Sequence, residues 1–80
     1  MLELQRGEVV SYGEVARRAG SPGRARAVGA FLAEHGDGLP WWRVVYSNGT
    51  LAAPDLRRQC RALREEGVEV IAGRVVGGVP

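Results

Sequence analysis

The residues able to do chemistry in this chain are few, and most are flat rings and guanidinium groups. Pro40-Trp41-Trp42-Arg43-Val44-Val45 sets two indoles beside an arginine. An indole stacks on a base or packs in a core, but it has neither an ionisable thiol nor a basic nitrogen. Cys60 is the only thiol and His35 the only histidine. Together they cannot supply a four-ligand metal site, so neither a metal nor a cofactor is expected. Cys60 stands between Leu56 and Leu63 on an apolar helical face, where a small buried cysteine behaves as an inert hydrophobe. Covalent chemistry has little to work with here; stacking and charge pairing have more.

The charge is mild overall but uneven. Eleven arginines, no lysine and nine acids leave a net charge of +2. Arg17, Arg18, Arg24 and Arg26 fall in a stretch without an acid. Such a stretch is either a solvated helical surface or a nucleic-acid contact. Eighty residues, 45% of them apolar, fit one small domain with a modest core. No apolar run approaches the ~20 residues that span a bilayer, and the first residues lack a secretory apolar region. A lone thiol forms no internal disulfide and suits a reducing cytoplasm.

The positioning elements read as follows. Leu2 to Arg6 suggests the end of a helix stopped by Gly7. Ser11-Tyr12-Gly13-Glu14 matches a capping box, with Val15, Ala16 and Ala19 as the apolar stripe and Gly20 as the stop. Ser21-Pro22 is expected to open a second helix, serine as N-cap and proline in its first turn, with Gly36 ending it. Val28, Phe31 and Leu32 would face the core, and Pro22, Gly23, Arg26, Ala30 and Ala33 would lie opposite. Residues 41–46 have strand composition. Asn48-Gly49 would turn the chain into a hairpin with a return strand near Leu51. Pro54-Asp55 opens a third helix carrying Leu56, Cys60 and Leu63 on one face. Val68 and Val70 look extended. The expected architecture is mostly α with a small β-hairpin, a winged helix-turn-helix-like single domain over residues 1–72. The glycine-rich residues 73–80 are expected to form a mobile tail.

The segment Arg26-Ala27-Val28-Gly29 followed by Pro40-Trp41-Trp42-Arg43-Val44 resembles the O6-alkylguanine-DNA alkyltransferases. Those enzymes have Pro-Cys-His-Arg-Val where this chain has Pro-Trp-Trp-Arg-Val, and the cysteine takes the alkyl group with the histidine's help. The likeness runs over roughly residues 7–70 and points to the alkyltransferase-like group, which lacks that chemistry. It implies that Trp41 occupies the nucleophile position and Trp42 the histidine position, so the catalytic set is empty. It implies that Arg26 enters the base stack to fill the space of a flipped nucleotide, a task suited to a planar, permanently charged group. Tyr12 would help rotate the neighbouring phosphate. The DNA-binding residues implied are Tyr12, Arg17, Arg26, Gly29, Ser47 and Asn48, and the lesion pocket is Tyr12, Trp41, Ser47 and Gly49. Arg43 would anchor its segment by hydrogen bonds. Glu66 matches an acid of the family that has no relay to complete here.

The sequence also departs from the enzymes. The loop between Gly29 and Pro40 is about two residues shorter and lacks their Asn-Pro segment, the helix before Ser11-Tyr12 is cut short, and nothing matches their separate N-terminal domain. The function implied is that of a cytoplasmic, monomeric, non-enzymatic binder of double-stranded DNA containing O6-alkylguanine. It would act by nucleotide flipping and flag the lesion for nucleotide excision repair. The alternative is a sequence-specific winged-helix transcriptional regulator reading the major groove. Ala30, Ala33 and Gly23 argue against that alternative, having no side chains that hydrogen-bond to base edges. A transferase acting through Cys60 is a third reading, opposed by that residue's helical position.

Overall fold

The computed structural model describes residues 4–35, 38–52, 55–77 and 79. Ser11 ends β1 (Val10–Ser11) and caps α1 (Tyr12–Arg18), its hydroxyl accepting the Glu14 N–H at 3.0 Å. The expected capping box is only half formed. Glu14 turns its carboxylate outward to Arg17 at 2.6 Å and Arg18 at 2.8 Å. Those hydrogen bonds, from Arg17 first and then Arg18, lower its pKa to about 2. Gly20, at φ +80°, lies just beyond the helix end, where positive φ suits a residue without Cβ.

The second helix starts later than Ser21-Pro22 implies: α2 runs Ala25–His35. Residues 21–24 form a turn closed by Arg24 N–H to Ser21 C=O at 3.2 Å, with Gly23 at φ +86°. Proline then glycine at the two central turn positions favours this geometry over a helix start, because a left-handed residue cannot sit in a helical turn. Leu32 is buried and Val28 half-buried, but Phe31 is exposed, so the apolar stripe is narrower than its periodicity predicts. Gly36, the expected stop, lies outside the described residues, as do residues 1–3 of the N-terminal segment. Residues 4–7 are not helical: Arg6 and Gly7 form a turn.

The chain then returns to β1. A 3-10 turn, Trp41–Arg43, leads into β2 (Val44–Val45), which pairs parallel to β1 with Val10 opposite Val44 and Ser11 opposite Val45. A parallel pair needs a long crossover, and α1 and α2 supply it. Residues 41–46 therefore contain only two strand residues, and the expected β2 hairpin is not the pairing that forms. Alternation along this short ribbon divides the core in two. Val10 and Val44 pack with Leu4 and Leu32, with Trp41 against them. Val45 packs with Leu51, Leu63, Val70 and Val75, with Val9 and Trp42 against them.

Asp55 caps α3 (Leu56–Glu65), accepting Arg58 N–H at 3.0 Å; Pro54 lies outside the described residues. Leu63 and Gln59 are the fully buried residues of this helix, while Leu56 is exposed. The face read as Leu56, Cys60 and Leu63 is thus rotated toward Gln59. That amide is saturated: its nitrogen donates to Trp42 C=O and Val44 C=O at 3.2 and 3.0 Å, and its oxygen accepts Ala52 N–H at 3.1 Å.

The glycine-rich end is part of the fold. Hairpin β3 (Val70–Ile71) and β4 (Arg74–Val75) is antiparallel, and Val75 is buried in the second core cluster. The Ser47-Asn48-Gly49 loop docks on it through Val75 N–H to Gly49 C=O at 2.8 Å and Leu51 N–H to Gly73 C=O at 2.9 Å. Among the loop residues only Gly49 takes positive φ, so this is a turn followed by a single left-handed residue rather than a two-residue Asn-Gly turn.

One buried ion pair joins three distant segments. Glu66 accepts Arg43 Nη2 at 2.7 Å and Nε at 2.9 Å, Trp42 Nε1 at 2.8 Å and Gly7 N–H at 2.8 Å. Arg43 Nη1 also donates to Leu4 C=O at 2.7 Å. The side chains are only 13% and 6% exposed. Arg43 above all holds the Glu66 carboxyl at a pKa of about 2. A depressed carboxyl contributes stability fully above its ordinary value, near 4.5, and loses it as pH falls toward about 2. Glu66→Gln is expected to lose ~3 kcal/mol at pH 7, because it leaves a buried cation without its counter-charge. Urea midpoints of wild type and variant should converge below pH 4.5; a gap that stays constant with pH would show that the charge is not what holds the junction.

Candidate nucleic-acid interface

A cleft of about 890 Å³ opens between α2, the 3-10 turn and the loop after β2, with the start of α1 and the N-terminal end of α3 completing its rim. One wall is made of small residues of α2: Ala25, Gly29, Ala30 and Ala33, with Arg26 among them. The other is aromatic. Tyr12, held at the first position of α1 by the Ser11 cap, lays its ring on α2 so closely that a Cβ on Gly29 would sit 3.8 Å from Tyr12 Cε1. Burial, and next the neighbouring Tyr46 hydroxyl, raise the Tyr12 pKa. The phenol therefore stays neutral and able to donate at physiological pH.

Trp41 is placed by the 3-10 turn, which Arg43 and Glu66 fix from behind. Its ring meets Trp42 edge-on, centroids 5.9 Å apart at 90°, and the Arg58 guanidinium lies 5.5 Å from its centroid. The two indoles divide their work. Trp41 lines the cleft, whereas Trp42 packs in the second core cluster, lies under Arg43 at 5.1 Å and donates to Glu66. The packing role expected for Trp42 holds, although a 3-10 turn rather than a strand produces it.

Of the residues singled out by sequence, Tyr12, Arg26, Gly29, Trp41 and Ser47 come together around this cleft. Three others do not line it. Asn48 spends its side chain on the turn, accepting Thr50 N–H at 3.0 Å. Gly49 is buried against β4, where a Cβ would lie 3.0 Å from Val75 C=O; its glycine is required by the fold. Arg17 is bound to Glu14 by Nε and Nη2 at 2.9 and 2.6 Å, which cancels much of its field. Arg26 is different: among the described residues it has no ion-pair partner.

The cleft also contains residues that sequence reasoning missed, chiefly Tyr46, Asp55 and Arg58. Asp55 and Arg58 belong to the opening turn of α3, where the only local signal is the capping spacing. Tyr46 read as one more strand residue. An exposed, positioned cation, small-residue approach on one side and aromatic faces on the other suit a nucleic acid whose bases can be drawn out of the stack. Among the described residues no helix is long and apolar enough to cross a membrane.

Comparison with known proteins agrees with this geometry. The family described as 6-O-methylguanine DNA methyltransferase, DNA binding domain, matches residues 1–68. A DNA base-flipping protein of Escherichia coli K12 is 51% identical over 71 residues, covering 84% of this chain and 55% of its own length, so the present chain spans about half of that relative. Alkyltransferase-like protein 1 of Schizosaccharomyces pombe is 42% identical over 74 residues, covering 85% of this chain and 68% of its own. The crystal structure of S. pombe Atl1 with damaged DNA containing O6-carboxymethylguanine superposes with a TM-score of 0.77 at 36% identity, over 98% of this chain and 79% of that one. The three-helix architecture with its short strands is the Atl1 fold. This chain therefore belongs to the family of the 6-O-methylguanine DNA methyltransferase DNA-binding domain, and within it to the alkyltransferase-like group.

Proposed function

We propose that this protein is a non-enzymatic sensor of O6-alkylguanine in duplex DNA, which it recognises by turning the damaged nucleotide out into the cleft. The carrying observation is that Tyr12, Arg26 and Trp41, distant in sequence, line one cleft between a small-residue helix and aromatic walls. In this reading Arg26 fills the vacated stack, Gly29 and its alanine neighbours admit the backbone, and Ser47 with Tyr12 borders the flipped nucleotide. Asn48 and Gly49 shape the loop that carries Ser47. The weakened pairing of an alkylated guanine lowers the cost of extrusion.

The absence of chemistry follows from Trp41 and Trp42 standing where the enzymes have cysteine and histidine. Support comes from Trp42, which donates an indole N–H to Glu66 and so offers the acid a hydrogen bond without a base behind it. Cys60 packs against the second core cluster and does not line the cleft. The damaged site, once bound, is flagged for another pathway, nucleotide excision repair, by a cytoplasmic monomer. The regulator alternative gains nothing from the α2 wall, whose alanines and glycine carry no base-reading groups.

Binding to otherwise identical duplexes with guanine or O6-methylguanine tests the proposal. Affinity should be higher for the modified duplex at physiological salt, and equal affinities would return the protein to general DNA binding. Intact mass after incubation with lesion DNA should be unchanged; a stable gain of one alkyl group, abolished in Cys60→Ser, would restore the enzyme reading. Arg26→Ala should weaken lesion binding and suppress the fluorescence of a base analogue beside the lesion, with the fold intact. Arg17→Ala, already paired with Glu14, should change affinity for both duplexes alike and only slightly. A uniform loss in Arg26→Ala with flipping preserved would make Arg26 an ordinary phosphate contact.

A further inference from the structure

We infer that Tyr46 is a specificity-determining residue of the cleft, supplying a second aromatic face that holds bulky aromatic substituents on guanine O6. The inference rests on the lesion-sensor reading and concerns which lesions the same site prefers. Tyr46 belongs to neither core cluster and leaves its side chain 53% exposed. Yet its backbone is fixed on both sides: its N–H donates to Thr50 C=O at 3.0 Å and its C=O accepts Gly49 N–H at 2.8 Å. A rigidly mounted, exposed aromatic ring contributes little to folding. It is suited to contact something that arrives.

The ring's surroundings identify that arrival. Tyr46 lines the cleft and meets Tyr12 with centroids 5.8 Å apart and planes at 57°. The tilt excludes a parallel stack between the two rings. Trp41, with Arg58 at its ring, lines the same cleft. At about 890 Å³ the cleft lies toward the upper end of the ~300–1,000 Å³ found for whole small-molecule sites, which leaves room beyond a single nucleobase. If Tyr12 and Trp41 border the flipped base, Tyr46 is the aromatic surface left for the group attached to it. A methyl group offers a ring little to stack on; a benzyl group offers a full π-face.

The test measures affinity of wild type, Tyr46→Ala and Tyr46→Phe for duplexes carrying guanine, O6-methylguanine or O6-benzylguanine at one position. Tyr46→Ala should cost the benzyl duplex ~10-fold more affinity than it costs the methyl duplex, the scale of one lost aromatic stack. Tyr46→Phe should behave as wild type, because the face rather than the hydroxyl does the holding. Equal losses on methyl and benzyl duplexes, or no loss at all, would overturn the assignment. A wild-type protein indifferent to both lesions would sink the sensor reading as well. A wild type that prefers O6-methylguanine while Tyr46→Ala shows no benzyl-specific loss would sink this inference alone. Should Tyr46→Ala fail to fold, Tyr46→Leu keeps apolar bulk without a π-face and carries the same comparison.

Discussion

The carboxylate of Glu66 is the point on which the rest of the molecule depends. Two charges shielded from water stabilise so small a protein only when well hydrogen-bonded, because desolvation can cost more than their attraction returns. Here the carboxylate accepts from Arg43, Trp42 and Gly7, and Arg43 spends a further donor on Leu4. Every strand of the junction is satisfied, and three parts of the chain that share no helix or strand are held in register. Gln59, about two turns before Glu66 in α3, does the same work, closing Trp42, Val44 and Ala52. Polar side chains stand in for the apolar area that a chain of 80 residues cannot bury.

The function-bearing wall inherits its rigidity from that junction. Trp41 and Trp42 are adjacent, yet one borders the cleft and the other locks into the second core cluster. The lock lies behind the wall: Trp42, Arg43 and Glu66 are tied together, and Trp41 is held edge-on against Trp42. The aromatic face of the cleft is thus braced by side chains that do not line it.

Much of this was legible from local patterns. Ser11 as a cap, Gly20 as a stop and the helix after Asp55 are written in neighbouring residues, and the structure has them. What failed was decided at long range. Trp41-Trp42-Arg43 has strand composition, but Arg43 must reach Glu66, and the segment coils as a 3-10 turn to let it. Val44–Val45 pairs with Val10–Ser11 rather than with the residues after Asn48-Gly49, a choice no local turn signal reveals. Val75 stands beside an equally apolar Val76, so only its burial against Val45 and Leu63 marks it as the core residue of the two. For the site, the positions that line the cleft were largely readable. Which arginines are already neutralised was not, because Glu14 breaks its expected hydrogen bond to the cap and takes Arg17 and Arg18 instead.

The parallel pairing of β1 with β2 also governs what fragments of this protein can do. Its two strands are separated by both crossover helices, and the 3-10 turn that leads into β2 is tied to Gln59 and Glu66, which come later in the chain. A contiguous piece ending before Glu66 would contain Tyr12, Arg26, Trp41 and Tyr46 and still have no wall to set them in. The binding surface is a property of the closed chain rather than of any stretch of it. During synthesis the cleft is set only once Glu66 has emerged, so a chain made no further than α3 carries its arginines without the wall behind them.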